Sequence, residues 1–260
     1  MGGGMGLSRE RGLLIQRLRR RRTREREGLF LVEGIRSVDE ALAAGVPVRF
    51  AVVSPRVREF AAGDPLRERL AQAGVETVEV TDTEFAALAD TGAPQGVLLV
   101  CPEPTNDPGH LPAGRLLILD GVQDPGNVGT LIRAAAAFGV AGVIALDGTV
   151  DPYSTKAVRA AAGAVFRTRV IMASWDEVEG TLRARGPLLI ADMDGSDVAL
   201  LAPRGEWALV VGSEGAGPRA SVRDAASGAV KVPMPGSAES LNAGVAGAIL
   251  LYVLTRESDL

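Results

Sequence analysis

The 260-residue chain holds one histidine, His110, and one cysteine, Cys101. A Ser/His/Asp or Cys/His triad would have to run through that one imidazole. A single thiol forms neither an internal disulfide nor a cysteine-based zinc site. Polar chemistry gathers instead in three loops. The first reads Asp120-Gly-Val-Gln-Asp-Pro-Gly-Asn127, with Arg133 six residues further on. Here Asn127 is either a helix N-cap or a site amide, and Arg133 either a surface residue or an anion ligand. The second, Ala208-Leu-Val-Val-Gly-Ser-Glu-Gly-Ala-Gly217, is a glycine-rich loop where backbone can approach a ligand closely. Its spacing fits neither G-x-G-x-x-G, nor a P-loop, nor G-x-S-x-G. Glu214 in it is either a solvated turn carboxylate or a site group. The third is Lys231-Val-Pro-Met-Pro-Gly-Ser-Ala-Glu-Ser240-Leu-Asn242. Ser237 or Ser240 is the expected cap of the following helix, with Asn242 just inside it. Met234 and Leu241 would suit an aromatic ring such as adenine.

Alternating strand and helix patterns position these loops. The first hundred residues read as a small α/β unit. Its strands are expected at 29–32, 49–54, 75–80 and 96–100, and its helices at 33–44, 67–73 and 83–89. A single basic helix over 7–27, stopped by Gly28, precedes it. Four prolines between Cys101 and Gly114 mark a linker. The second half predicts strands at 116–119, 142–146, 166–172, 188–191, 207–211 and 229–232, with helices at 128–138, 154–162, 175–184 and 241–255. That pattern implies an α/β fold with a mostly parallel sheet covered on both faces. Ligands in such sheets lie at the carboxyl ends of strands, where the three loops are. The expected organisation is an arm at 1–27, a small α/β domain at 28–100, a linker at 101–114 and a second α/β domain at 115–260.

Charge is uneven. The net charge is −4, yet Arg9 to Glu27 carries nine arginines and three glutamates. A basic segment ahead of an acidic body points to a polyanion partner or to a solvated helix face. Guanidinium pairs with phosphate bidentately, which favours nucleic acid. No signal peptide is visible, and the uncharged run from Ala243 to Leu254 is far short of the ~20 residues that span a bilayer. A cytoplasmic protein with no membrane span and no metal is expected.

Taken in this order and spacing, the three loops resemble the signature motifs of the SpoU (TrmH) family of RNA ribose 2′-O-methyltransferases, in the SPOUT superfamily. The resemblance covers residues 115–256. Phe30-Leu-Val-Glu-Gly34 and Pro94-Gln-Gly-Val97 resemble the family's substrate-binding domain, related to ribosomal protein L30. Departures are Ala243-Gly244, where many relatives carry Val-Ser, and a closing helix without the usual Glu and Gln.

The resemblance implies S-adenosyl-L-methionine as cofactor, a homodimer, and a C-terminal trefoil knot that forms the cofactor pocket. It implies Arg133, Asn127, Glu214, Ser240 and Asn242 as catalytic residues. Gly212, Ser213, Val232, Met234, Leu241 and Ala243 are the expected cofactor neighbours. Arg19, Arg20, Arg21, Arg22, Arg24, Glu33 and Arg36 are the expected RNA contacts. Glu214 is expected to hold Arg133, in one arrangement across the dimer. Methyl transfer to a hydroxyl is an in-line displacement that needs donor and acceptor within ~3–3.5 Å and a route for the proton. Guanidinium stays protonated and has no lone pair to offer. Arg133 therefore reads as a phosphate ligand that stabilises the developing alkoxide, with a phosphate oxygen or water taking the proton. Pyrimidine C5 methylation usually needs a cysteine nucleophile, and Cys101 in the linker has no adjacent base. The expected substrate is 23S-type ribosomal RNA. The alternatives are tRNA, a non-catalytic RNA-binding SPOUT protein, or a dinucleotide enzyme, the last disfavoured by the missing glycine fingerprint.

Overall fold

Unbroken apolar runs form buried strands here, and interrupted ones form the helices that cover them. The computed structural model describes residues 6–201, 203, 205–237 and 239–256. The chain makes two compact units, one of 1–104 with 153–166, the other of 105–152 with 167–260.

The first unit opens with two helices rather than one, α1 (Arg9–Leu18) and α2 (Arg21–Glu27). Arg20 is extended, with φ −95° and ψ 129°, and breaks the helix. The buried Arg24 then turns back and donates to the carbonyls of Leu18 and Arg19 at 2.8 and 3.0 Å, satisfying the end of α1. Strand β1 (Leu29–Glu33), α3 (Ile35–Ala43), β2 (Phe50–Val53), α4 (Gly63–Gln72), β3 (Thr77–Glu79), α5 (Asp82–Leu88) and β4 (Val97–Pro102) follow. The sheet order is β1-β4-β2-β3. Its first two pairings are antiparallel and the last is parallel. Ile15 and Leu18 of α1 are fully buried against Leu29, Phe50, Phe85 and Leu98. The N-terminal segment is thus part of this unit's core. The linker expected from Cys101 starts later, because Cys101 and Pro102 are the last residues of β4.

The second unit runs through β5 (Leu116–Asp120), α6 (Pro125–Ala137) and β6 (Gly142–Leu146). Helix α7 (Thr155–Ala161), expected with this half, belongs to the first unit and packs on β1. The second unit resumes with β7 (Arg169–Ala173), α8 (Trp175–Arg185), β8 (Leu188–Asp197), β9 (Ala208–Gly212), α9 (Ala220–Ala225), β10 (Gly228–Lys231) and α10 (Ala243–Arg256). Its six strands are ordered β10-β8-β9-β5-β6-β7, every pairing parallel. In β5, Leu116 and Ile118 join Ile144, Trp175, Leu182 and Val210 in one buried cluster. Leu117 and Leu119 are also fully buried. Burial of both faces is why the strands read as continuous apolar runs. On one face α10 packs along α6. Gly247 permits that approach, since a Cβ there would collide with the Leu131 side chain. Strand β8 runs six residues past its expected end, through Asp192-Met-Asp-Gly-Ser-Asp197, and its pairing with β10 carries a bulge between Ala229 and Val230. The short helix α9 has no counterpart in the sequence reading.

Candidate active site

Parallel strands put the ends of β5, β9 and β10 at one edge of the sheet, so the three polar loops converge there. Between the second and third loops lies a cleft of about 770 Å³. It is within the size range of small-molecule sites.

The loop after β9 folds back on itself. Ser213 and Gly217 exchange backbone hydrogen bonds at 3.2 and 2.9 Å, and Ser213 Oγ accepts from the Ala216 amide at 3.3 Å. Gly212 is required by this fold, because a Cβ there would collide with the Gly217 and Pro218 backbone. A half-buried ion pair staples the loop's far end to β5. Arg219 donates through Nε and its backbone amide to the two oxygens of Asp120, each at 2.7 Å. Asp120 is only 3 % exposed, while the Arg219 side chain keeps one flank in solvent.

Glu214 lies at the tip of the same loop and joins it to the first loop. The buried Asn127 side-chain amide donates to Glu214 Oε1 at 2.8 Å. Burial alone would raise the Glu214 pKa, but the Asn127 hydrogen bond and the backbone amides of Glu214, Gln123 and Asp124 outweigh it. Its carboxyl is therefore held below the usual carboxylate value and stays ionised at neutral pH. Asn127 is not the cap of α6. Asp124 is, accepting from the Asn127 amide at 2.9 Å, with Pro125 at the first helical position. In the third loop the cap is Asn242 rather than Ser237 or Ser240. Its Oδ1 accepts from the Val245 amide at 3.2 Å. Gly244 separates the two asparagines, and a Cβ there would lie 3.1 Å from Asn127 Oδ1 and 3.2 Å from Asn242 Oδ1.

Gly212, Ser213, Glu214, Val232, Met234, Ser240, Leu241, Asn242 and Ala243 all line the cleft. Asn127 stands behind Glu214. Arg133 is not in the cleft. It lies about 9 Å further along α6 than Asn127, on another face, and is exposed. Glu214 thus holds Asn127 within the chain, not Arg133. Asp192, Met193 and Arg223 line the cleft and were not expected. Arg223 pairs with Asp192 and also donates to the Pro218 carbonyl at 3.0 Å. Their signal was hidden because a polar, glycine-containing stretch reads as a loop, whereas Asp192 and Met193 sit within β8.

Among the expected RNA contacts, two are corrected. Arg24 is buried and occupied at the end of α1. Glu33 is 1 % exposed and accepts from the Asp90 amide at 2.9 Å and Thr91 Oγ1 at 2.6 Å, with Arg159 at 3.7 Å. Arg19 donates to the Leu88 and Ala89 carbonyls at 2.8 and 2.6 Å and so closes α5. Arg20, Arg21, Arg22 and Arg36 are exposed. His110 is exposed beside Asp107, away from the cleft lining. Among the described residues there is no cluster of three or more His, Cys, Asp or Glu suited to a metal, and no helix is long and apolar enough to cross a membrane.

The cleft's composition suits a nucleoside with a charged tail. Val211, Val232, Met234, Leu241 and Leu250 give apolar walls, and the loops at 212–217 and 231–234 bring backbone polar groups to its edge.

Comparison with known proteins agrees. The model of the SpoU rRNA Methylase family matches residues 114–252, and that of the MRM3-like substrate binding domain matches residues 14–99. The chain is 33 % identical over 247 residues to the 23S rRNA (guanosine(2553)-2′-O)-methyltransferase RlmP of Bacillus subtilis, covering 92 % of this chain and 93 % of that one. It is 30 % identical to a 23S rRNA (uridine(2479)-2′-O)-methyltransferase of Streptomyces viridochromogenes, covering 91 % of this chain and 86 % of that one. Among solved structures, the SpoU methyltransferase AviRb from S. viridochromogenes, in complex with AdoMet, superposes with a TM-score of 0.85 at 29 % identity, covering 96 % and 98 % of the two chains. An AdoMet-bound rRNA methyltransferase from Sinorhizobium meliloti gives a TM-score of 0.82 at 26 % identity, covering 96 % of each.

Proposed function

Since the chain belongs to the SpoU rRNA methylase family, we propose that it transfers a methyl group from S-adenosyl-L-methionine to a ribose 2′-hydroxyl of ribosomal RNA in the cytoplasm. The observation that carries this reading is the convergence of Gly212, Glu214, Met234, Ser240, Leu241 and Asn242 on one cleft at the sheet edge.

When bound, the cofactor supplies an electrophilic methyl group on a sulfonium. The protein's part is positioning and charge. Met234, Val232 and Leu241 hold the adenosine, with specificity from loop backbone rather than charged side chains. Asn127, locked to Glu214, keeps the first loop against the second. Asn242 holds the start of α10 over the cleft. Ser240, also on the cleft wall, orients the ribose. Arg133 binds the phosphate next to the target ribose and stabilises the alkoxide as it forms.

Arg133 lies outside the cleft lining of its own chain, which favours a homodimer in which it serves the partner's cleft. The supporting surface is α10, where Val245 and Tyr252 are each 45 % exposed, and Tyr252 meets Phe138 of the α6 end with ring centroids 5.6 Å apart. The knotted connection expected of the family belongs to the same reading, with α10 carrying the chain from edge strand β10 back to α6 and β9.

The test is transfer of labelled methyl to unmodified rRNA and to tRNA. Incorporation at one rRNA position that then resists alkaline cleavage, lost in Arg133→Ala, is the expected result. Incorporation into tRNA alone would move the substrate, and none into either RNA would overturn the reading. The two curated relatives differ in target nucleotide, guanosine in one and uridine in the other. The conserved architecture therefore leaves the base to be chosen by RNA shape and local sequence.

A further inference from the structure

The first unit holds a second cavity, about 330 Å³, lined by Arg11, Arg17, Arg26, Arg49 and Phe50 among others. Its residues come from α1, α2 and the start of β2. Arg11 is fixed in place. Its two terminal nitrogens donate to the Glu76 carboxylate at 2.6 and 3.0 Å, and its guanidinium lies 4.7 Å from the centre of the Phe50 ring. Arg26 pairs with Glu27 at 2.8 Å. Arg17 and Arg49 are exposed, and among the described residues neither guanidinium has a hydrogen-bond or ion-pair partner. Glu10 and Glu27 also line the cavity, which leaves cations in excess. Arg11 is neutralised by Glu76 and Arg26 by Glu27, so the positive charge open to an anion is that of Arg17 and Arg49, offset in part by Glu10. Planar guanidinium forks match phosphate oxygens bidentately. The buried Phe50 ring already has Arg11 over it, so this cavity offers charge and not a stacking platform for a base.

We propose that this groove binds a phosphodiester of the RNA substrate, with Arg17 and Arg49 as its direct ligands and Arg11 as its fixed wall. The proposal rests on the RNA methyltransferase reading and names where that substrate is gripped. It differs from a diffuse basic arm, because Arg49 lies outside the basic run and Arg19 and Arg24 of that run are occupied internally. Contacts of this kind set register rather than read sequence.

The experiment uses the full-length Arg17→Gln/Arg49→Gln protein and an Arg56→Gln/Arg58→Gln protein of equal charge, at exposed positions outside the groove and outside the expected RNA contacts. RNA affinity is measured against salt with an unmodified rRNA fragment, beside methyl transfer and S-adenosyl-L-methionine affinity. Both groove arginines are surface residues whose guanidiniums have no partner, so the melting temperature should not move. The groove variant should bind RNA roughly tenfold more weakly, with a log–log salt slope shallower by about 0.7–0.9 for the one lost phosphodiester contact. Its kcat at saturating RNA and its cofactor affinity should be unchanged, and the control should change less than half as much. Equal changes in the two variants, or an unchanged slope in the groove variant while the wild type methylates, would overturn the groove and leave the enzyme reading intact. If inorganic phosphate at matched ionic strength binds the wild type but not the groove variant and leaves the bound RNA in place, the site takes free phosphate and the RNA assignment falls. A wild type that binds cofactor but methylates no RNA would remove the reading on which the groove rests.

Discussion

At the scale of single residues, the two asparagines show how roles exchange when a helix starts a few positions from where it was expected. Asn127 was read as a cap or a site amide. Asp124 takes the capping role, which frees the Asn127 side chain to hold Glu214. Asn242 was read as lying inside its helix, and it is the cap. Because the Glu214 pKa is lowered on folding, its contribution to stability is present above the unfolded carboxylate value and is lost as pH falls through the lower folded one. Asn127→Ala removes a hydrogen bond to a charged group, worth about 1.5–3 kcal/mol, and should lower kcat/KM roughly ten- to hundredfold. Asn127→Asp is more diagnostic. Two carboxyls would then face each other across 2.8 Å, and one of them must keep a proton. Activity of that variant should survive at acid pH and fall as pH rises through the raised pKa, a descending limb absent from the wild type. A pH profile parallel to the wild type would show that the pair does not shape the site. Cys101 illustrates the opposite case, a titratable group with no chemistry, since burial in β4 pushes its thiol up to about 12.

At the scale of elements, the strands were legible because burial on both faces leaves an apolar run with no interruption, as in Leu116–Leu119 and Gly142–Leu146. What could not be read was where polar residues continue a strand. Asp192 and Met193 stand in β8 between its two registers with β10, at Leu189–Ile190 and at Ser196–Asp197, a non-local arrangement with no local signature. The N-terminal helix was misread for a related reason. Arginines at 19–22 look like one solvated face, yet Arg24 folds inward to close α1 and Arg19 reaches across to close α5. The apolar signal of Ile15 and Leu18 is sparse but decisive, since both are fully buried. The segment should therefore be ordered without RNA. Leu18→Ala should destabilise the protein by about 2–5 kcal/mol, as for other buried leucines, seen as a lower denaturant midpoint in the absence of nucleic acid. A change within about 0.5 kcal/mol, the usual range for surface positions, would return the segment to the status of an arm.

At the scale of the whole molecule, the arrangement that needs most explanation is that the proposed catalytic arginine lies outside the cleft lining of its own chain. Sequence order alone suggests a single site, because all three loops belong to one sheet edge. Helix geometry separates Arg133 from Asn127 and leaves Arg133 exposed on α6, the helix along which α10 packs with Val245 and Tyr252 exposed. If two copies meet over these helices, each active site takes its cofactor cleft from one protomer and its arginine from the other. That arrangement can be tested with two inactive proteins. Arg133→Ala retains the cleft and loses the arginine. Gly212→Ala retains the arginine and loses the cofactor, because its added Cβ collides with the returning loop. Mixed and allowed to exchange subunits, they should form heterodimers in which one site is complete. Random exchange makes half the dimers mixed, so methyl transfer should recover to about a quarter of the wild-type value. Each variant alone should remain inactive, and both should run as dimers on gel filtration. No recovery from a mixture shown to have exchanged would place Arg133 in the site of its own chain, brought there by a movement of α6 when RNA binds.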